Sequence, residues 1–214
     1  MRVHHPYHEN SVETLNVDFF NLSPLAVARR LIGCAVVRVL AGERLSGRIV
    51  EAEAYGGLRD PSCHLVRRDE RIWALLSGPP GVLYLHRAYR HWLLNITCDA
   101  LGEPACVLIR ALEPTSGQER MRQLRRGARD LTNGPARLVE ALAIDFAWEA
   151  SPLPRAEFWL EAGEPVPEEQ VLNTVRIGLT RGKDLPWRFA VRDNPWVSRS
   201  VEAVLSEAPL SPGL

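Results

Sequence analysis

The chain has 214 residues, 46% of them hydrophobic and 24% charged, with 26 basic and 26 acidic side chains. That length suits one well-packed domain or two small ones, and the composition is that of a globular chain, not a disordered or fibrous one. No apolar run approaches the roughly 20 residues of a membrane helix, the first ten residues lack the apolar centre of a signal peptide, and four cysteines without a Cys-x-x-Cys pair point to reduced, buried thiols, not to a zinc site.

In chain order, residues 1–10 are polar and His-rich and read as a ragged tail. Ser23-Pro24 ahead of residues 25–31 supplies an N-cap hydroxyl, a proline at the first helical position and an apolar stripe. A short helix ending at Gly33 is expected. Residues 34–40 read as a strand, Ala41-Gly42-Glu43 as a turn and 45–55 as the returning strand. Residues 56–63, rich in Gly, Asp and Pro, read as loop. Residues 72–76 form an apolar run of ambiguous type, followed by the breaker Gly78-Pro-Pro-Gly81. Three further strands are expected at 82–87, 92–98 and 105–112, and helices at 117–126 and 135–144. The Pro- and Glu-rich stretch 150–170 reads as surface connection, 175–179 and 189–191 as late strands, and 194–198 as a compact ending. Strands in runs with short links, and few helices, argue for an α+β domain with a mostly antiparallel sheet and flanking helices. No boundary divides it.

The neutral total hides an uneven distribution. Residues 65–140 carry 12 basic side chains against 8 acidic, residues 141–214 carry 7 against 11, and the first 64 balance at 7 each. Phosphate binding follows the local field, so the middle of the chain is the part suited to it. Of the basic residues, 25 are Arg and one, Lys183, is Lys. Schiff-base chemistry needs an amine, and Lys183 in Thr-Arg-Gly-Lys-Asp is a poor candidate for a desolvated one.

The chemistry concentrates in Arg48-Ile-Val-Glu-Ala-Glu-Ala-Tyr55 and in His64, nine residues on. In a strand, Glu51, Glu53 and Tyr55 share one face. A carboxylate beside an aromatic suits a site that stacks a flat ring and activates water. The same pattern also describes an amphipathic strand with a solvated acidic face, and alternation does not choose between Glu51 and Glu53. Tyr84, His86 and Tyr89 fall on or just after one expected strand. Asn95 and Arg110 each interrupt an apolar strand, which is costly unless they are paired. Together they suggest a polar pocket built on the sheet.

The segments Leu45-Ser-Gly-Arg-Ile-Val-Glu-Ala-Glu-Ala-Tyr55, Cys106-Val-Leu-Ile-Arg-Ala-Leu-Glu-Pro114, Leu131-Thr-Asn-Gly-Pro135 and Phe189-Ala-Val-Arg-Asp-Asn-Pro-Trp-Val-Ser198 resemble those of the alkyladenine (3-methyladenine, methylpurine) DNA glycosylases, in the family's order from about residue 17 to 199. The resemblance implies a single compact domain with a curved antiparallel sheet, expected over 15–203 between a flexible tail at 1–14 and a C-terminal tail at 204–214. It implies base excision from double-stranded DNA carrying damaged purines, by a cytoplasmic, nucleoid-associated monomer with no metal or organic cofactor.

By the same resemblance, Glu53 matches the general base, and Arg110 and the Ile177 carbonyl match groups that hold the attacking water with it. Tyr55 and His64 match two walls of the base pocket, and Tyr84 the aromatic on the opposite face of the base. Asn95 matches the residue that screens out guanine's 2-amino group, and Tyr89 the wedge that fills the vacated duplex. Arg87 and Arg90 offer phosphate contacts. The lack of a suitable amine predicts a monofunctional enzyme. A noncatalytic lesion-binding protein on the same scaffold is the alternative; a free-nucleoside hydrolase fits the wedge Tyr89 and the Arg-rich middle less well. Three departures cluster on the expected DNA face: His86 where most relatives carry Tyr, Arg90 where the family's wedge is followed by Gly, and Glu70-Arg71-Ile72-Trp73 in place of Thr-Pro-Arg-Asn.

Overall fold

A computed structural model of the chain describes residues 12–56, 60–64, 69–100 and 102–199, with only the backbone of His64. The helices are α1 (Val17–Phe20), α2 (Pro24–Leu31), α3 (Glu70–Leu76), α4 (Gln118–Leu124) and α5 (Pro135–Ala141). The strands are β1 (Ala35–Leu40), β2 (Glu43–Gly56), β3 (Leu83–Ala88), β4 (His91–Thr97), β5 (Ala105–Ser116), β6 (Phe158–Glu161), β7 (Val171–Thr174) and β8 (Arg188–Val191). All pair antiparallel in one sheet of order β3-β4-β5-β2-β1-β6, with β8 on β2 and β7 on β8. This is the α+β architecture expected.

Local chemistry explains the helix starts. Ser23 Oγ accepts from Ala26 N at 3.4 Å and Pro24 opens α2. The ambiguous run at 72–76 is helical because Asp69 Oδ1 caps it, accepting from Arg71 N at 3.0 Å and Ile72 N at 3.1 Å. The departing segment 70–73 thus builds α3, whose Leu76 clusters with Tyr84 and Cys106.

β2 is the hub of the sheet. One edge carries β5; the other carries β1 as far as Arg48 and β8 from Glu51 to Glu53. Where these partners change, the β2–β5 register slips, and neither Val50 nor Arg110 has a partner residue opposite. Such irregularities re-aim side chains, and this one lies where Glu51, Glu53 and Arg110 meet. Strand alternation then separates two faces. Leu85, Leu94, Ile96, Val107, Ile109 and Ala52 enter the apolar core together with residues of α2, α4 and α5. Tyr55, Tyr84, Asn95 and Arg110 go to the other side.

Two expectations fail. Residues 150–170 are not all surface connection: Phe158–Glu161 is a strand beside β1, with Phe158 and Trp159 fully buried. Flanking Pro and Glu obscured four strand residues. The first late strand is Val171–Thr174, not 175–179. Residues 175–179 leave the sheet, which brings Arg176 and Ile177 against β2.

The chain reaches the sheet at Thr14, which bridges to Glu161. Residues 1–11 of the expected N-terminal tail and everything beyond Arg199 lie outside the described residues. All four cysteines are buried free thiols, as expected. Among the described residues, no helix is long and apolar enough to cross a membrane.

Candidate active site

The non-core face of the sheet holds a cavity of about 330 Å³. Tyr55, Tyr84, His86, Asn95, Cys106 and Arg110 wall it from four strands, and Ser62, Cys63 and the 177–181 segment close it from loops. Tyr55, Tyr84, Asn95, Arg110 and Ile177, selected from distant parts of the sequence, therefore meet at one place. Glu53 sits behind this wall, fully buried. Its Oε2 accepts from Tyr55 OH at 2.6 Å and Arg110 Nη1 at 3.1 Å, and its Oε1 accepts from the Ile177 amide at 2.8 Å. The Ile177 group bonded to Glu53 is thus its N–H.

The two carboxylates of β2 share a face but differ in their surroundings. Glu51 Oε1 accepts from Arg188 Nε at 2.7 Å, Ser198 Oγ at 2.9 Å and Arg110 Nε at 3.1 Å; its Oε2 accepts from Ser198 N at 2.7 Å. Burial alone would raise its pKa, but the two arginines and the Ser198 amide outweigh it and hold the carboxyl below the usual range. Arg188 and Ser198 are not walls of the cavity, whereas Tyr55, Arg110 and Ile177, the partners of Glu53 among the described residues, are. Neither glutamate is solvated, so the reading of β2 as a strand with a wet acidic face is excluded. Burial, then the adjacent Glu53, pushes the Tyr55 hydroxyl well up, which keeps it protonated and donating.

The other walls are fixed as well. Asn95 Nδ2 donates to Tyr84 O at 3.2 Å and Leu93 O at 3.1 Å, which stops the side chain swinging aside. Tyr84 OH and His86 Nδ1 are 2.9 Å apart; His86 is exposed, and partial desolvation of its ring lowers its pKa. Burial pushes the Cys63 thiol up to about 12 and raises Cys106 well above its ordinary value. His64 ends the 3-10 turn Pro61–His64, but its side chain lies outside the described residues.

Tyr89 and Arg90 are the two-residue link between β3 and β4, beyond the Ala88–His91 pair. Tyr89 is 99% exposed and left-handed, with φ 55°. Arg90 is not left-handed, so the backbone strain of this turn sits on Tyr89. Arg87 is part of the hairpin's framework: its Nε donates to Tyr89 O at 3.3 Å and its guanidinium lies over Trp92, which stacks on Phe146 at 4.4 Å. Arg90 carries an exposed charge. Much of the basic excess elsewhere is engaged locally, in the pairs Arg122–Glu119, Arg125–Glu140 and Arg137–Asp130.

The family model for methylpurine-DNA glycosylase matches residues 18–195. The chain belongs to the methylpurine-DNA glycosylase family. A relative from Gloeobacter violaceus is 93% identical over the full length of both chains. One from Carboxydothermus hydrogenoformans is 40% identical, covering 85% of this chain and 97% of its own. One from Deinococcus radiodurans is 42% identical, covering 86% and 100%. Each is provisionally named a 3-methyladenine DNA glycosylase. The protein is therefore a DNA glycosylase, an enzyme whose substrate is DNA.

Sequence reasoning missed Arg176, Asp60, Arg188 and Ser198, which hold the site from behind. Arg176 did carry a signal: it interrupts the apolar run Val175-Arg-Ile177, as Arg110 interrupts its strand. Reading that run as an ordinary strand concealed it.

Proposed function

We propose that the enzyme is a monofunctional glycosylase that hydrolyses the N-glycosidic bond of alkylated purines, 3-methyladenine and 7-methylguanine, in duplex DNA. The reading rests on one observation above all: a buried carboxylate, Glu53, whose hydrogen-bond partners among the described residues are all walls of the cavity. Inside a duplex, C1′ is closed to an attacking water, so the nucleotide turns out of the helix at a cost of a few kcal/mol. Tyr89, exposed at a hairpin tip, is the group suited to fill the gap. The base enters the cavity, where stacking on Tyr55 and Tyr84 is worth about 1–3 kcal/mol per ring. Asn95, held rigidly, screens the purine by its bulk.

Glu53 then accepts a proton from a water that attacks C1′, with Arg110 and Ile177 beside it. An alkylated purine leaves with its positive charge neutralised, so no second acid is required, unlike the usual pair of carboxylates in glycoside hydrolysis. A neutral lesion such as hypoxanthine or ethenoadenine lacks that advantage and is released more slowly. No lysine walls the cavity, which favours hydrolysis that leaves an abasic site over Schiff-base cleavage of the strand. One cavity made within one chain suits a monomer.

Single-turnover assays on 3-methyladenine, 7-methylguanine, hypoxanthine and 1,N6-ethenoadenine duplexes test this. Free base and unbroken abasic strands are expected, fastest for the two cationic purines. Tight lesion binding without release would instead favour a noncatalytic lesion-binding protein. Equal activity on free nucleosides would remove the role for DNA.

Tyr89→Gly separates stability from function at the hairpin. A left-handed non-glycine residue costs about 1–2 kcal/mol, and a glycine loosens the unfolded chain by somewhat less. Stability is expected to rise by about 0.5–1 kcal/mol in urea titrations. Excision from duplex is expected to slow about tenfold, as the flipped state loses its filler, with a smaller effect on single strands. Equal slowing on both substrates would contradict the wedge role.

A further inference from the structure

Arg176 touches neither the cavity nor Glu53, yet it is bonded to the pieces that shape both. It is 3% exposed. Nη1 donates to Asp60 Oδ2 at 2.7 Å and to the Ala54 carbonyl of β2 at 2.9 Å; Nη2 donates to Asp60 Oδ1 at 2.9 Å and to Gly182 O at 3.2 Å. Its guanidinium lies over the Tyr55 ring, 4.6 Å from the centroid, and over Trp187 at 5.0 Å. Asp60 also accepts from Gly56 N at 3.2 Å, Ser62 N at 2.9 Å and Ser62 Oγ at 2.7 Å, tying in the loop that carries Ser62 and Cys63. The next residue after Arg176 is Ile177, whose amide meets Glu53.

We infer that Arg176 is a positioning residue: it backs Tyr55 against the place where the base stacks and aims the Ile177 N–H at Glu53, so that base binding and water activation share one brace. The inference rests on the roles proposed above for Tyr55 and Glu53. A buried ion pair is a weak source of stability, because apolar replacements often fold as well. What it supplies is geometry. The planar fork of a guanidinium grips a carboxylate at two points and a carbonyl beside it, in a fixed arrangement that a lysine ammonium cannot reproduce. Tyr55, its neighbour in space, lines the cavity, and Ile177, its neighbour in sequence, meets Glu53. A displacement of about 1 Å there is enough to cost about 100-fold in rate.

The test uses the full chain with Arg176→Lys, which keeps the charge and loses the fork, and Asp60→Asn, which keeps the shape and loses the carboxylate. Single-turnover release of 3-methyladenine, scaled to the folded fraction from near-UV circular dichroism, is expected to fall about 10–100-fold in both. Millimolar guanidinium is expected to restore part of the rate to Arg176→Ala. Amide hydrogen exchange at Ile177 is expected to quicken at least tenfold in Arg176→Lys, while amides in the centre of β4 keep their protection. Wild-type rates in the folded variants, or losses that only track the folded fraction with no guanidinium rescue, overturn the inference. If the wild-type enzyme releases no base from any methylated duplex, the proposed function fails instead. The brace is then judged on Ile177 exchange alone, and unchanged exchange overturns it.

Discussion

Glu53→Gln is expected to slow base release by about 10²–10⁴-fold, the usual contribution of a positioned general base, while lesion-duplex binding survives. The amide matches the carboxylate in shape but takes no proton from water. It also points an NH₂ at one of the donors that Glu53 now receives from Tyr55, Arg110 and Ile177, a mismatch that costs about 1–3 kcal/mol of stability. Single-turnover excision and fluorescence anisotropy on the same duplex separate the two effects. Normal excision by the variant would sink the mechanism.

Glu51→Ala should do the reverse. This carboxylate lies two residues away on the same strand, but its work is to neutralise Arg188 and share Arg110, both buried. Removing one partner of a buried ion pair costs about 3–5 kcal/mol, because the cation left behind is unpaired and dry. The urea midpoint should fall accordingly, while the excision rate per folded molecule falls less than in Glu53→Gln, since only the orientation of Arg110 is disturbed. A stability loss under about 1 kcal/mol would mean that water or neighbours had taken over. Acid tells the same story with a definite sign. Folding lowers the Glu51 pKa from 4.5, so the unfolded chain takes up that proton first as pH falls. This contribution is complete above the unfolded value and is lost as pH drops through the folded one. Wild type should weaken in that window, and Glu51→Ala should be less sensitive there.

The contrast between the two glutamates marks how far the sequence could be read. Alternation put Glu51, Glu53 and Tyr55 on one face, and the interruptions at Asn95 and Arg110 pointed to a polar pocket; both are present. Choosing between the glutamates needs β8 and Ser198, which arrive 137 and 147 residues later in the chain, and no local pattern encodes that. The four-residue strand Phe158–Glu161 was hidden for a different reason: it is too short for a period, and Pro and Glu surround it. Arg176 and Asp60 lie 116 residues apart, so the interruption of an apolar run at Arg176 named no partner, and Asp60 alone looks like an ordinary loop charge. At the hairpin, the departure from the family pattern is Arg90, but the left-handed residue is another: the two-residue link turns at Tyr89, one residue earlier.

The thiols in the cavity wall bear on how the site meets electrophiles. Reagents that alkylate purine nitrogens also attack sulfur, but chiefly as thiolate. Burial pushes Cys63 up to about 12 and raises Cys106 as well, so neither favours the thiolate at neutral pH. The desolvation that shapes a dry seat for a base therefore also makes its sulfur a poor target.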